Sequence, residues 1–368
     1  MEVREATPSQ LPDWDDLAVR SAHGHVYQSR AWAAYRAAFG WQPRFLVADD
    51  GAPILALARP WPLVGSDGVY VSRGPLPDAD PARTLARLEA VTGWFAEHGA
   101  SVVATDAEVP AESSYRELLA AAGFRQIDEI QPSRHRLAVD LAEVSDAAGL
   151  LASFGATTRN MIRAAERTDL RLVRFGPIDD GSSKRGDEPP PAAAELQAEL
   201  AALYGLMRAT ADRRGFGLAP RERFLDWSGR AFAAGQLAYI GGHDGDGQLV
   251  AGATFYRHGR RWTYANAADD PRFRKVYPGA VRQVVWEALQ AALAEGRTEM
   301  DLGGVDVPGA RRRPQPGEPA HGMLAFKESF GARWIELTGA HERVLRPTRY
   351  SLGRVTGKIA SALGRGAA

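Results

Sequence analysis

A lysine between two phenylalanines is the residue whose position most clearly indicates chemistry in this sequence. Lys327 lies between Phe326 and Phe330 in the largely apolar stretch 323–331, which ends in Gly331. Because burying an ammonium group is costly, we expect this lysine to face a cleft and to stabilise negative charge there. The alternative is a lysine at the edge of an element, with its aliphatic stem packed on the aromatic rings.

Two arginines on a predicted helix are a second candidate for binding an anion. Arg159 and Arg163 lie four residues apart, so they share one face of the helix, while Ile162 and Ala165 can face the core. The arginine face either borders a cleft for an anionic substrate or is a solvated surface.

The composition excludes several other kinds of chemistry. The 368 residues include no cysteine, which rules out disulfides, thiolate catalysis and cysteine metal sites. There is no P-loop and no Gly-x-Ser-x-Gly elbow, and the histidines lack the spacing of metal ligands. Lys+Arg and Asp+Glu balance at 45 each, so no net charge favours nucleic acid or membrane. We expect no metal and no bound cofactor.

The sequence also predicts a soluble, cytoplasmic protein. The N-terminal residues are charged and lack the apolar run of a signal peptide. No stretch approaches the ~20 consecutive apolar residues of a membrane-spanning helix.

The order of the predicted elements repeats along the chain. A hairpin, a strand, a helix and another strand are predicted within 45–106, and the same order recurs within 237–302. Two similar α/β domains with mixed sheets would produce this order. Mobile loops are predicted at 176–191 and 309–322, where apolar residues are scarce.

Neither half carries the glycine-rich turn that an acyl-CoA transferase would place between a strand and a helix. The equivalent segments are 73–77 and 274–279, and both contain proline. Proline removes amide donors that a phosphate cradle needs, so these turns disfavour CoA.

Six short motifs occur in order along the chain. They are Gln28-Ser29-x-x-Trp32, Gly40-Trp41, Arg73-Gly74-Pro75, Thr158-Arg159-x-x-Ile162-Arg163-x-Ala165, Asp301-Leu302-Gly303-Gly304-Val305 and Phe326-Lys327-x-x-Phe330-Gly331. In this order they resemble the FemABX family of aminoacyl-tRNA-dependent peptidyltransferases. The resemblance covers nearly all of the chain, from about Tyr27 to Gly339.

The resemblance implies an α/β (α+β) fold of two tandem GNAT-like domains around a long cleft. No heptad stretch occurs, so the sequence resembles the compact branch without a coiled-coil arm. The first domain is predicted to comprise 1–148 together with 338–368, because the family's C-terminal segment returns to pack on it. The second domain is predicted to span 149–337.

The resemblance implies transfer of an amino acid from aminoacyl-tRNA to the amine of a peptidoglycan precursor, in cell-wall synthesis. The acceptor would be lipid II or UDP-MurNAc-pentapeptide. An amine attacks the ester carbonyl, an oxyanion develops and the ribose hydroxyl leaves. The motif places Lys327 where a cation would stabilise that charge, with Phe326 at the substrate.

Tyr264 matches the tyrosine that the family places near the reacting centre, where its hydroxyl would orient the carbonyl or relay a proton. As an alternative, Tyr264 lies in the core and Trp262 faces the cleft. Tyr256 is the other candidate.

The resemblance also assigns residues to the acceptor. Arg36 stands where the family usually has a lysine and is expected to bind a diphosphate. Arg221 fits a second phosphate-binding arginine, although Phe224 stands near the place of an expected tyrosine. Asp106 matches an acidic residue that would hold the attacking ammonium, or else it caps the next turn.

The C-terminal segment is basic and amphipathic. From Arg343 onward it contains six basic residues and no acidic one. Its apolar stripe (Tyr350, Leu352, Val355, Ile359 and Leu363) is expected to pack on the first domain. The basic face would then be free to contact anionic lipid, which predicts a peripheral position at the inner membrane face.

Three other functions fit parts of the sequence. The same chemistry could act on a small amine or peptide in specialised metabolism. The chain could instead be a CoA-dependent N-acyltransferase, or a twin-domain binding protein without catalysis. The prolines in the two turns argue against CoA, and Lys327 with Tyr264 argues against an inactive pocket.

Overall fold

The computed structural model describes residues 1–131, 134–176, 193–305 and 312–364, with the backbone alone for 193 and 358–364. The chain forms two compact units. Unit 1 comprises Met1–His135 and Glu336–Ala368, and unit 2 comprises Arg136–Ile335.

The described residues form strands and helices in alternation. The strands are β1 (Val3–Glu5), β2 (Gln42–Ala48), β3 (Pro53–Pro60), β4 (Asp67–Val71), β5 (Val102–Thr105), β6 (Arg125–Gln126), β7 (His135–Asp140), β8 (Arg171–Phe175), β9 (Leu237–His243), β10 (Leu249–His258), β11 (Arg261–Asp269), β12 (Glu299–Asp301), β13 (Arg333–Glu336) and β14 (His341–Val344). The α-helices are α1 (Arg30–Ala37), α2 (Pro81–Glu97), α3 (Tyr115–Ala121), α4 (Ala147–Ser153), α5 (Ala156–Ala165), α6 (Ala193–Arg214), α7 (Arg221–Ala233), α8 (Ala280–Ala294), α9 (His321–Glu328) and α10 (Pro347–Gly364).

Unit 1 is built on a mixed sheet with the order β1-β2-β3-β4-β5-β14-β6. β4 and β5 are parallel, and α2 connects them, as a parallel pair requires. Asp80 caps the start of α2 by accepting from the amide of Ala82 at 2.9 Å. The buried residues Leu88, Val91 and Phe95 of this helix share a core with the sheet.

The C-terminal segment completes unit 1. β14 lies between β5 and the edge strand β6, so a strand from the C-terminal segment is built into one side of the sheet. α10 lies against Trp61 through its glycines: a Cβ at Gly353 would meet the indole at 2.5 Å, and one at Gly357 at 3.2 Å.

The prediction for the apolar stripe of α10 holds for Tyr350 and is wrong for two other members, and the side chains of Ile359 and Leu363 lie outside the described part of the structure. Tyr350 is 9% exposed, whereas Leu352 is 50% and Val355 is 56% exposed. The physical reason is that the glycine face lets the helix approach Trp61 closely, which turns the branched side chains away.

Unit 2 contains the second mixed sheet, with the order β13-β7-β12-β11-β10-β9-β8. β11 and β12 are parallel and are connected by α8. The side chains of β9 alternate between two cores: Ile240 packs with α5 and α8, and Tyr239 packs with α6. The units divide before the predicted boundary after residue 148, because β7 and α4 belong to the second sheet and its core.

The predicted repeat is confirmed in the two sheets. Hairpin β2–β3, strand β4, helix α2 and strand β5 in unit 1 correspond to β9–β10, β11, α8 and β12 in unit 2. No coiled-coil arm is present in the part of the chain that the structure describes. The predicted loop 176–191 lies outside that part except for Gly176, as do 309–311 of the loop 309–322.

Candidate active site

The ammonium of Lys327 is buried near the C-terminal end of α9. Lys327 is 4% exposed, and its Nζ donates to the carbonyl of Gly304 at 2.8 Å. The preceding Gly303 has a φ of +73°, which favours glycine, and a Cβ there would lie 3.6 Å from Nζ. A positive charge is therefore held at the loop after β12, where burial strengthens its electrostatic effect.

The aromatic residues beside Lys327 have different environments. Phe330 is fully buried and packs edge-on against Phe154 and Phe326, with each pair of ring centroids 5.3 Å apart. Gly331 follows with a φ of +79° and ends the helical segment. Phe330 and Gly331 therefore fix α9, while Phe326 is partly buried at the edge of the core.

Arg282, which the sequence motifs did not single out, lies against Phe326. Its guanidinium carbon is 5.1 Å from the ring centroid, and its Nε donates to Thr158 Oγ1 at 3.3 Å. Burial lowers the pKa of Arg282, and among the described residues no carboxylate pairs with it. The residue stands in the first turn of α8, where the helix dipole disfavours a cation. An arginine in the first turn of a predicted helix is the sequence signal that could have identified Arg282.

Tyr264 lies on β11 next to an irregularity in the sheet. The β10–β11 register shifts between Thr254 and Phe255, and Ala265 has no partner across the pair. A bulge of this kind redirects the side chains around it. Burial, with Asp269 as a second cause, raises the pKa of Tyr264, so its hydroxyl stays protonated at neutral pH.

The backbone of Tyr264 and the ammonium of Lys327 lie near the same glycine, while the Tyr264 ring packs against the core of unit 2 with its centroid 5.6 Å from that of Phe255. A Cβ at Gly303 would lie 3.4 Å from the backbone oxygen of Tyr264 and 3.6 Å from Lys327 Nζ. Trp262, the alternative to Tyr264, is fully buried and donates to Glu295 at 3.0 Å. The strand therefore directs Trp262 into the core.

Arg159 contacts backbone at the end of a neighbouring helix. Its guanidinium donates to the carbonyls of Phe154 and, at 3.1 Å, Ala152. These carbonyls lie at the C-terminal end of α4, where a cation is favourable. The adjacent Thr158 donates to Ser329 Oγ at 2.7 Å and so joins α5 to the end of α9. These contacts give both residues of the Thr-Arg motif a structural role.

Tyr256 lies on β10 opposite Thr263 of β11, and Arg221 lies on α7. Tyr256 is 8% exposed, and its hydroxyl accepts from Trp227 Nε1 at 2.7 Å, which ties β10 to α7. Arg221 begins α7 and is exposed. Phe224, near the place of the expected tyrosine, is buried, and its ring centroid lies 5.6 Å from that of Tyr204.

In unit 1 the guanidinium of Arg36 lies between two indole rings. Its central carbon is 5.3 Å from the Trp32 ring and 4.6 Å from the Trp41 ring. Trp32 in turn stacks on Tyr27, with the ring centroids 4.3 Å apart. Ser29 caps this helix by accepting from the amide of Trp32 at 2.9 Å.

Asp106 is buried and holds a turn. Its carboxylate accepts from the amide of Arg73 at 2.6 Å and from the hydroxyl of Tyr70 at 2.7 Å. Arg73 has a φ of +50°, an unusual value that the Asp106 bond helps to maintain. Burial alone would lower the pKa of Arg73, but Asp106 and Glu108 raise it above its ordinary value.

A row of contacts joins the two candidate acceptor residues of unit 1. Between Arg36 and Asp106 it runs through Trp32, Tyr27, His25, Glu108 and Arg73. The structure thus connects Arg36 to Asp106, although their sequence motifs lie far apart. A search limited to the described residues finds no group of three or more His, Asp or Glu that could hold a metal ion.

A pocket of about 170 Å³ lies at the start of α8. Asp269, Asp270 and Arg274 line it, and each aspartate is paired with an arginine. At its edge, Gly279 adopts a φ of +87°, and a Cβ there would meet the backbone oxygen of Met161 at 2.4 Å. Carboxylates and a close backbone carbonyl make this turn a poor cradle for pyrophosphate.

Residues 156–312 match a family model described as an acetyltransferase (GNAT) domain. Among solved structures, the whole chain resembles FemX, with 19% identity, a TM-score of 0.75, and coverage of 96% of this chain and 99% of that one. No protein in the curated set matches.

Two further structures share the fold at 14% identity. One is L-PGS from Bacillus licheniformis, with a TM-score of 0.51 and coverage of 96% of this chain and 98% of that one. The other is the C-terminal domain of a putative lysylphosphatidylglycerol synthetase from Agrobacterium fabrum, with a TM-score of 0.52 and coverage of 95% and 96%. The likeness to FemX confirms the predicted resemblance to the FemABX fold, and the domain match supports the prediction of an acyltransferase.

Proposed function

Starting from an acyltransferase with the FemX fold, we propose that the chain transfers an amino acid from aminoacyl-tRNA to the amine of a peptidoglycan precursor. The observation that carries the proposal is the buried ammonium of Lys327, fixed 2.8 Å from the Gly304 carbonyl near the backbone of Tyr264. Ester aminolysis needs a cation at the developing oxyanion, and a buried, fixed cation needs no reorganisation to supply it.

The reaction forms one bond and breaks one. The acceptor nitrogen attacks the ester carbonyl carbon, which becomes tetrahedral with its charge on oxygen. The carbon–oxygen bond to the ribose then breaks, and the ribose hydroxyl leaves with a proton that originates on the amine. Lys327 stabilises the oxyanion. Tyr264, which burial keeps protonated, donates a hydrogen bond to the carbonyl rather than acting as a base.

Arg282 supports an anionic donor. Its guanidinium has no carboxylate partner among the described residues and lies against Phe326, the neighbour of Lys327. A phosphate near the charged end of the tRNA would supply the missing counter-charge and could accept two parallel hydrogen bonds. We assign Arg282 to the donor phosphate and Phe326 to the terminal base, since a base can stack on an aromatic ring.

Arg36 suits the acceptor's diphosphate, because the indole rings of Trp32 and Trp41 hold its guanidinium in place. One of the neighbours also favours an aminoacyl group over an acetyl group, since lysylphosphatidylglycerol is an aminoacylated lipid. The assay described below distinguishes three acceptors: a precursor with its lipid, a precursor without it, and a smaller amine in specialised metabolism.

The CoA-dependent alternative rests on one observation, the acetyltransferase description of the matching domain. Against it stand the carboxylates that line the pocket at the start of α8 and the proline before Gly279.

The test is transfer of radiolabelled amino acids from charged total tRNA to UDP-MurNAc-pentapeptide and, separately, to lipid II. We expect label in one precursor, and ribonuclease treatment of the donor should abolish it. A small-amine acceptor would show as label outside both precursors. Label that survives ribonuclease, or none in any amine, would contradict the proposal.

A further inference from the structure

The outer side of α10 carries apolar side chains that nothing in the described structure covers. Leu352 is 50% exposed and Val355 is 56% exposed. They lie three residues apart, and Ile359 occupies the next position of the same helical row. The opposite side of the helix is the one that packs, through Gly353 and Gly357 on Trp61.

A third exposed apolar residue lies on the turn against which α10 packs. Leu63 is 99% exposed, with a φ of +63° that is unusual for a leucine. The turn is held to the helix by Trp61 and by Arg349, whose guanidinium donates to the Gly65 carbonyl at 3.3 Å. Leu63 therefore has a fixed position beside α10 while its side chain is in water.

The charged residues of α10 itself have one sign. Arg349 and Arg354 are exposed on α10, and the helix from Pro347 to Gly364 contains no acidic residue. Elsewhere the basic and acidic residues are closely matched, so the positive charge is local. A helix with exposed apolar residues and only positive charge has the composition that binds in the interface of an anionic bilayer.

We propose that this surface, formed by Leu63, Leu352, Val355, Arg349 and Arg354, docks unit 1 on an anionic phospholipid bilayer. The apolar side chains insert at the level of the headgroups, and the arginines contact lipid phosphates. Nucleic acid fits less well, because Leu and Val offer no stacking surface to a base. A second copy of the chain fits less well too, because two such surfaces would bring like charges together.

The proposal predicts two separable contributions to binding. Each basic residue near an anionic surface contributes about fivefold to the partition coefficient, and salt weakens this part. Inserting one leucine or valine side chain increases the partition coefficient on the order of tenfold, and this apolar contribution responds little to salt. The docking is independent of the reaction proposed above, so binding can be measured without any assay of activity.

The experiment is vesicle co-sedimentation of the full chain, with phosphatidylcholine vesicles compared with mixed phosphatidylcholine–phosphatidylglycerol vesicles. We expect binding to the mixed vesicles only. Leu352→Ser with Val355→Ser should reduce it on the order of a hundredfold, since two apolar contacts are lost. Arg349→Gln with Arg354→Gln should reduce it by about twentyfold or more and flatten its salt dependence.

Matched controls lie in unit 2. Val276→Ser removes an apolar side chain that is 62% exposed, and Arg213→Gln removes an exposed arginine. Both should bind vesicles as the unmodified chain does, and thermal unfolding should show that every variant is folded.

Three results would overturn the proposal. The first is equal binding to neutral and anionic vesicles, or binding to neither. The second is unchanged binding by the Leu352/Val355 variant. The third is a dimer in solution that this variant dissociates, which would make a second copy of the chain the occupant.

Discussion

At the scale of single residues, the candidate site depends on two cations that are held partly or almost fully out of water. Lys327 is almost fully buried, and Arg282 is partly buried in the first turn of a helix. Burying a charge costs free energy unless something compensates for it. Arg282 has no carboxylate partner among the described residues, and we attribute its placement to a negatively charged substrate.

Lys327→Met should lower kcat by about 100-fold or more, because the cation that faces the oxyanion is lost. Methionine matches the length of the lysine stem, so the core around α9 should be retained. The measurement is single-turnover transfer, with Lys275→Met, at an exposed lysine of the same unit, as the control. Full activity in a folded Lys327→Met variant would exclude Lys327 from the mechanism.

Arg282→Gln should raise KM for the charged tRNA and leave KM for the acceptor unchanged. The loss of one phosphate contact should also reduce the slope of log K against log salt by about 0.7, the value for a single strand. Arg282→Lys should recover part of the affinity, since it keeps the charge but not the two-bond geometry. An effect confined to the acceptor would assign this arginine to the other substrate.

At the scale of elements, glycines decide where helices approach their neighbours. Gly353 of α10 leaves room for Trp61, whereas Gly93 in the middle of α2 has no atom within 4 Å of an added Cβ. The same substitution should therefore have opposite effects in two helices of one unit.

Gly353→Ala should destabilise unit 1, since the methyl group would lie 2.5 Å from the indole and helix or ring must move. We expect a loss of about 1–3 kcal/mol in the free energy of unfolding. Gly93→Ala should increase the free energy of unfolding by as much as ~1 kcal/mol, because alanine favours the helix more than glycine does. Denaturant unfolding measures the free energy of unfolding of both variants. Changes of the same sign and size in the two variants would contradict the packing described for α10.

The sequence predicted the elements better than it predicted what each motif does. Hydrophobic periodicity and turns located both hairpins and both crossover helices, because these signals are local. The Gln-Ser-x-x-Trp motif, by contrast, is largely structural. Gln28 is fully buried and bridges β3 to the end of β4 through Leu55 and Ser72, while Ser29 caps α1. Such a role depends on contacts between distant residues and cannot be deduced from spacing.

Residues on two other helices show the same limit. Arg159 looked like part of a substrate-facing surface, but its guanidinium donates to carbonyls at the end of α4. Leu352 and Val355 have the helical spacing of a packed stripe, yet the glycine face of α10 packs instead. Periodicity shows which residues share a face of a helix, and only the neighbouring elements determine which face is covered.

At the scale of the whole molecule, the chain builds two units from one repeated order of elements and completes the first with its last segment. β14 lies between β5 and β6, so unit 1 cannot form its full sheet until the end of the chain is present. Unit 2, in contrast, lies within a single continuous stretch. None of the described helices is long and apolar enough to cross a bilayer.

A chain ending at Ile335 should therefore lose amide protection throughout the sheet of unit 1, since β5 and β6 lose the strand between them. A chain ending at Arg346 keeps β14 and should retain that sheet with a smaller loss of stability. Hydrogen exchange read by mass spectrometry distinguishes the two. Equal protection of β5 in both chains would show that β14 is dispensable.

The mass of the acceptor after incubation with both donors together identifies the group that the protein transfers. A mixture of charged tRNA and acetyl-CoA is offered to the full chain with UDP-MurNAc-pentapeptide, and in parallel with lipid II. We predict a gain equal to one aminoacyl residue on the stem-peptide amine, absent with Lys327→Met. A gain equal to an acetyl group would contradict the account.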